Sequence, residues 1–253
     1  MYGAIYGDLA GSIYEYSQVK EIKAIKPKEL IVKDSFYSDD TILTIAILDA
    51  IINDRNYDKY LREYISKYKD YKPEFKPFFE TAFSPSIINW SEGKGNGNSH
   101  GNGAMMRISP VGFMFNNERD IIKNSRLATI PSHNSSEAIY SASTIALMIY
   151  YFRKGLSREE VYKMLNIDLK YIPFTKFNVT CEETIGNCLY VLYYSNSFDD
   201  AIRKSLLMGG DTDTNSAIIG SLAEALYGID DIIKEKVNEK IPDEFVKVLK
   251  KCR

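Results

Sequence analysis

The chain has 253 residues but only three cysteines and two histidines. Cys181, Cys188 and Cys252 are odd in number and form no C-x-x-C pair, which argues against a disulfide framework and a thiolate metal cluster. Cys181 and Cys188 stand seven apart, on one face of a helix, where packing is the expected role. With only His100 and His133 available, a His-rich zinc site is excluded. No apolar run is long enough to span a bilayer. The opening residues Met1-Tyr2-Gly3-Ala4-Ile5 lack the basic n-region of a signal peptide. A net charge of −2 and a pI near 5.8 leave no global basic field to attract nucleic acid or an anionic membrane. Strand-like alternation is scarce, and Leu30-Ile31-Val32 is too short to anchor a sheet. These absences point to a cytoplasmic monomer with neither a nucleic-acid nor a membrane partner.

Helical patterning is what remains. With 45% hydrophobic residues the chain can bury a substantial core. Apolar periodicity predicts helices over 1–16, 40–53, 57–69, 118–128, 135–153, 157–165, 180–195, 198–208, 213–227 and 229–251. Asp199-Asp200 before Ala201 reads as a start signal, and Gly155 and Gly228 as stops. An all-α bundle forming a single domain over 1–253 follows. Two segments read as loops: 17–38, and the Gly- and Asn-rich 84–112, long enough to imply a functional role.

Chemistry concentrates at two predicted helix starts. Gly209-Gly210-Asp211-Thr212-Asp213-Thr214 opens one, and Ser38-Asp39-Asp40-Thr41 opens another. A single Ser, Thr or Asp is an ordinary N-cap, favoured by the helix dipole. One cap needs one such residue, yet each helix here begins with four. Hard oxygen donors at this density suit Mg²⁺ or Mn²⁺, and the pair of clusters suggests one site holding two ions.

The first helix carries Gly3, Gly7, Gly11 and Glu15 at four-residue spacing, hence on one face. Each helical glycine costs ~1 kcal/mol relative to alanine, so three of them imply a close approach by another helix or a ligand. That need does not account for Asp8 and Glu15, which lie seven apart on nearly the same side. Gly101-Asn102-Gly103-Ala104-Met105-Met106-Arg107 can offer backbone N–H groups to a phosphate, with Arg107 as a charge partner or as the partner of a nearby carboxylate. The loop lacks the Lys-Ser/Thr ending of a P-loop. His133, within Ser132-His133-Asn134, precedes a long helix and, taken alone, reads as a capping-region residue.

Taken in order, these motifs resemble the ADP-ribosylglycohydrolase family. They are Gly3-x-x-x-Gly7-Asp8-x-x-Gly11-x-x-x-Glu15, Ser38-Asp39-Asp40-Thr41, Gly101 to Arg107, Ser132-His133 and Gly209 to Thr214. The resemblance implies an all-α fold and a dinuclear Mg²⁺ or Mn²⁺ centre at the bottom of an ADP-ribose cleft. It implies Ser38, Asp39, Asp40, Asp211, Asp213 and Thr214 as metal ligands, with Ser38 standing where many members carry threonine. Glu15, with Asp39 and Asp40, is implied in catalysis. Gly101, Asn102, Gly103, Ala104, Met105, Arg107 and His133 are implied in substrate binding. The implied partner is an ADP-ribosylated protein side chain, arginine foremost, or a small-molecule acceptor, cleaved at C1″.

Two other readings compete. Asp211-Thr212-Asp213 is similar to the nucleophile loop of haloacid-dehalogenase-like phosphatases, but that loop follows a buried strand and carries Thr where Asn215 stands here. A non-catalytic ADP-ribose binder or structural protein is the stronger rival, and metal-dependent turnover separates it from an enzyme.

Overall fold

A computed structural model describes residues 1–74 and 81–252 of the chain. Its helices are α1 (Tyr2–Lys20), α2 (Asp39–Ile52), α3 (Tyr57–Tyr68), α4 (Pro85–Ser91) and α5 (Gly103–Met106). Then follow α6 (Ser109–Met114), α7 (Glu118–Thr129), α8 (Ser136–Arg153), α9 (Arg158–Met164) and α10 (Cys181–Tyr193). The chain closes with α11 (Phe198–Met208), α12 (Thr212–Tyr227), α13 (Asp231–Lys240) and α14 (Asp243–Lys250). Among the described residues β pairing is limited to two isolated bridges, Asn98 with His133 and Gly101 with Thr180. The fold is all-α, as the periodicity predicts.

The glycine stripe sets the central contact. A Cβ on Gly3, Gly7 or Gly11 would lie 2.2, 1.9 or 2.2 Å from the carbonyl oxygens of Gly220, Ser216 and Thr212 respectively. Ascending positions on α1 meet descending positions on α12, so the two helices run antiparallel with backbones touching. Thr212 adds a bond from its Oγ1 to the Gly11 carbonyl at 2.9 Å. The stripe therefore serves helix packing, and its consequence is to bring the Asp8–Glu15 end of α1 against the start of α12.

Helix α2 is apolar around almost its whole circumference, and Ile42 to Leu48 are buried. A helix without a polar face belongs in the interior, and only its N-terminus meets the functional cleft. Cys181 and Cys188 are both fully buried on α10, in the packing role expected of them. Burial raises both thiols, Cys181 to about 12, so neither is a nucleophile near neutral pH. No helix of the described residues is long and apolar enough to cross a membrane.

Two expectations need correction. The predicted helix over 229–251 breaks at Ile241, whose extended backbone (φ −113°, ψ 157°) is what the following Pro242 favours. The segment 84–112 is not one long loop, because it holds α4, α5 and α6. Pro85 and Pro110 sit in the first turns of α4 and α6, where a missing N–H is harmless. Helices of four to seven residues are too short to display a period, and the Gly and Asn content around them masks the start signals.

Candidate active site

Three helix ends build the site. Asp8 reaches from α1 to the N-terminus of α2, where its Oδ2 accepts from Ser38 N at 2.9 Å, from Thr41 N at 3.1 Å and from the Thr41 hydroxyl. Asp40 Oδ2 accepts from Ser38 Oγ at 3.2 Å and from Thr214 Oγ1 at 3.3 Å, which joins α2 to α12. Asp211 is held from two sides: Asn102 Nδ2 donates to its Oδ2 at 2.7 Å, and its own N–H donates to Asn178 Oδ1 at 2.8 Å.

The carboxylates converge into two groups that share one member. Oxygens of Asp8, Asp40 and Asp213 lie within 4.8 Å of one another, and so do those of Glu15, Asp211 and Asp213. Asp39 faces the same cleft but stands outside both tight groups. Among the described residues no lysine or arginine forms an ion pair with any of these six acids. Arg107 supplies a compensating charge, and Asp39 is a carboxylate that feels it.

Such crowding resists ionisation. Burial, with the charge of Asp213 next, pushes Asp8 up to about 7. Burial followed by Asp213 likewise raises Glu15, Asp39 and Asp40 well above the usual carboxylate range. Asp213 is raised by burial and by Asp211. Asp8 Oδ1 and Asp40 Oδ1 are buried without a hydrogen-bond partner. Orphaned carboxylate oxygens, excess negative charge and a donor set made wholly of oxygen together fit hard divalent cations. A structural network would have paired these groups instead.

The cleft has a volume of about 1190 Å³, above the ~300–1,000 Å³ usual for small-molecule pockets. Its lining joins Glu15, Ser38, Asp39, Asp40, Asp211, Asp213 and Thr214 to the loop of Gly101, Asn102 and Gly103, and to Arg107 and His133. Phe83, Trp90 and Phe177 give it aromatic surface. Ala104 and Met105 are different: both are buried in the core, and neither lines the cleft. Among the described residues Arg107 makes no carboxylate ion pair of the kind the sequence allowed. It is buried, and its Nη2 donates to Ser132 Oγ at 2.6 Å and to the Ala128 carbonyl at 3.4 Å.

Sequence reasoning left Asp8 out of the ligand set and overlooked Asn178. The Asp8 signal was present, since the glycine stripe gave no reason for an acid there. Asn178 carried none, because its contacts with Asp211 and Asn215 are distant in the chain.

The structure sets an order of tolerance to substitution in the loop. A Cβ on Gly103 would meet nothing closer than His133 Nε2, at 3.4 Å, an ordinary contact. Gly103→Ala is therefore expected to fold with a melting temperature near wild type and to report only on ligand affinity. Arg107→Lys loses the Nη2 that holds Ser132 Oγ and the Ala128 carbonyl and leaves buried acceptors unpaired, at a cost of about 1–3 kcal/mol. Thermal denaturation of the two variants checks the order, and greater damage from Gly103→Ala would contradict it.

Comparison with known proteins gives the family and the fold. The family profile for ADP-ribosylglycohydrolase matches residues 1–251. The chain is 26% identical over 144 residues to the ADP-ribosyl-[dinitrogen reductase] glycohydrolase of Rhodospirillum rubrum, a match taking in 52% of this chain and 48% of that protein. It is 22% identical over 307 residues to the ADP-ribosylhydrolase ARH3 of Homo sapiens, with 91% of this chain and 85% of that protein covered. A solved structure of an ADP-ribosylglycohydrolase-related protein complex superposes with a TM-score of 0.64 at 16% identity, over 98% of this chain and 92% of the other, a likeness of fold.

Proposed function

Because the chain belongs to the ADP-ribosylglycohydrolase family, we propose that it hydrolyses the C1″ bond between ADP-ribose and an acceptor, with two Mg²⁺ or Mn²⁺ ions in the cleft. The observation that carries this reading is the pair of carboxylate groups sharing Asp213 beside a cleft of ligand size. Ser38, Asp40, Asp211, Asp213 and Thr214 would hold the ions, together with Asp39 from the cleft side and Asp8 from behind. Cations bound there supply Lewis acidity and positive charge.

The remaining work falls to the chain's own residues. Glu15 lines the cleft in the tight oxygen group with Asp211 and Asp213, which sets its carboxyl where it can position the ribose or guide a proton. Asn102 orients Asp211, and the small residues Gly101 and Gly103 let backbone come close to an anionic ligand. The acceptor is proposed to be an ADP-ribosylated arginine side chain.

Release of free ADP-ribose from a panel of arginine-, serine- and acyl-linked mono-ADP-ribosylated peptides tests both parts. Turnover is expected with Mg²⁺ or Mn²⁺, fastest on the arginine linkage, and none with chelator. Activity confined to the serine-linked peptide would overturn the acceptor assignment. Calorimetric titration of chelated protein tests the metal, and tight zinc binding without response to Mg²⁺ or Mn²⁺ would sink it.

A further inference from the structure

Ser132 is buried between two groups of the cleft, Arg107 and His133. We infer that Arg107 and Ser132 form a relay that locks His133 in its Nε2–H tautomer, so that the ring presents a hydrogen-bond donor to the ligand. The inference rests on the proposed function only for the identity of that ligand.

A guanidinium carries donors and no acceptor. Arg107 Nη2 donates to Ser132 Oγ at 2.6 Å, and it also stands 3.4 Å from His133 Nδ1. With an oxygen lone pair taken by Arg107, the Ser132 hydroxyl proton is free to point at Nδ1, 2.8 Å away. An Nδ1–H would instead be set against the Arg107 N–H 3.4 Å away, and by taking the second lone pair of Ser132 Oγ it would leave the buried hydroxyl proton without an acceptor among the described residues. Nδ1 is therefore the acceptor and the ring proton sits on Nε2.

The other edge of the ring faces the glycine loop. Nε2 lies 3.4 Å from the position a Cβ would take on either Gly101 or Gly103, so the absence of both side chains keeps this edge open. His133 lines the cleft with Gly101, Asn102 and Gly103. Burial, and then the positive charge of Arg107, hold the imidazole well below its usual range, in agreement with a neutral ring. A ring whose acceptor nitrogen is enclosed and whose open nitrogen carries a proton does not serve as a general base. It fits a ligand oxygen, of a phosphate or a hydroxyl, that accepts. Ser132 and Arg107 are positioning residues on this account, since they act through His133.

The chain has two histidines, His100 and His133, so imidazole ¹⁵N NMR at pH 7.5 resolves the ring directly. The expected wild-type spectrum assigns His133 a protonated Nε2 and an unprotonated Nδ1. Ser132→Ala should mix the tautomers and weaken ADP-ribose binding about tenfold by calorimetry, and Ser132→Thr, which keeps the hydroxyl, should restore both. An Nδ1–H ring in wild type overturns the relay, even if Ser132→Ala does not fold. An unchanged tautomer in folded Ser132→Ala overturns it too. Wild type that shows the Nε2–H ring but binds no ADP-ribose supports the relay and overturns the proposed function instead.

Discussion

Asp213→Asn is expected to lower metal-dependent ADP-ribose release by roughly a thousandfold, because several kcal/mol of charge stabilisation depend on the ions it would share. The same change should raise the melting temperature of chelated protein. Asp213 belongs to both carboxylate groups, and its charge raises Asp8, Glu15, Asp39 and Asp40. Asparagine keeps the shape and removes that repulsion. Opposite signs for activity and metal-free stability are hard to obtain from a residue of ordinary structural role.

The pH dependence of chelated wild type follows from the same groups. Asp8 moves from an ordinary 3.8 in the unfolded chain to about 7 when folded. The stability it contributes is fully present below pH 3.8 and is lost as pH rises through about 7. Glu15, Asp39, Asp40 and Asp213 shift in the same direction. His133 works the other way, since its lowered value costs stability as pH falls below 6.5. Above pH 6.5 the carboxylates act unopposed by it. Melting of chelated protein should therefore fall as pH rises from 6.5 through about 7 and recover on adding Mn²⁺, while Asp213→Asn should lose most of that recovery. A chelated wild type whose melting temperature rises across this window would refute the account.

Gly7→Ala carries the second large effect. The new methyl would stand 1.9 Å from the Ser216 carbonyl oxygen and 2.7 Å from the Ala217 nitrogen. Both are backbone atoms, so relief requires separating α1 from α12. Overpacking of this kind costs about 3 kcal/mol or more, a fall of roughly 6–12 °C in melting temperature for a domain of this size. The same substitution at Gly186, inside α10, should have the opposite sign. There the nearest neighbour is the Lys170 carbonyl oxygen at 3.8 Å, so alanine gains up to ~1 kcal/mol of helix propensity without a clash. Separation of α1 from α12 also moves Asp8 and Glu15 from Asp213, so Gly7→Ala should weaken Mn²⁺ binding as well. Equal melting temperatures for the two alanine variants would show that the glycine stripe does not set the helix distance.

By itself the sequence determined the helical class, most helix positions, the spacing of Gly3, Gly7 and Gly11, and the oxygen-rich starts of α2 and α12. These are properties of neighbours one to four residues apart, which local patterning expresses directly. Short helices escaped it at 84–112, where too few turns exist to show a period. Only the tertiary structure decided that Asp8 joins Asp40 and Asp213 while Asp39 stands aside, that Ala104 and Met105 turn into the core, and that Arg107 holds Ser132 rather than a carboxylate. Each of these depends on the antiparallel register of α1 on α12, or on a side chain meeting partners some twenty to two hundred residues away in the chain. Such meetings are fixed by backbone contact and packing, for which one-dimensional spacing holds no coordinate.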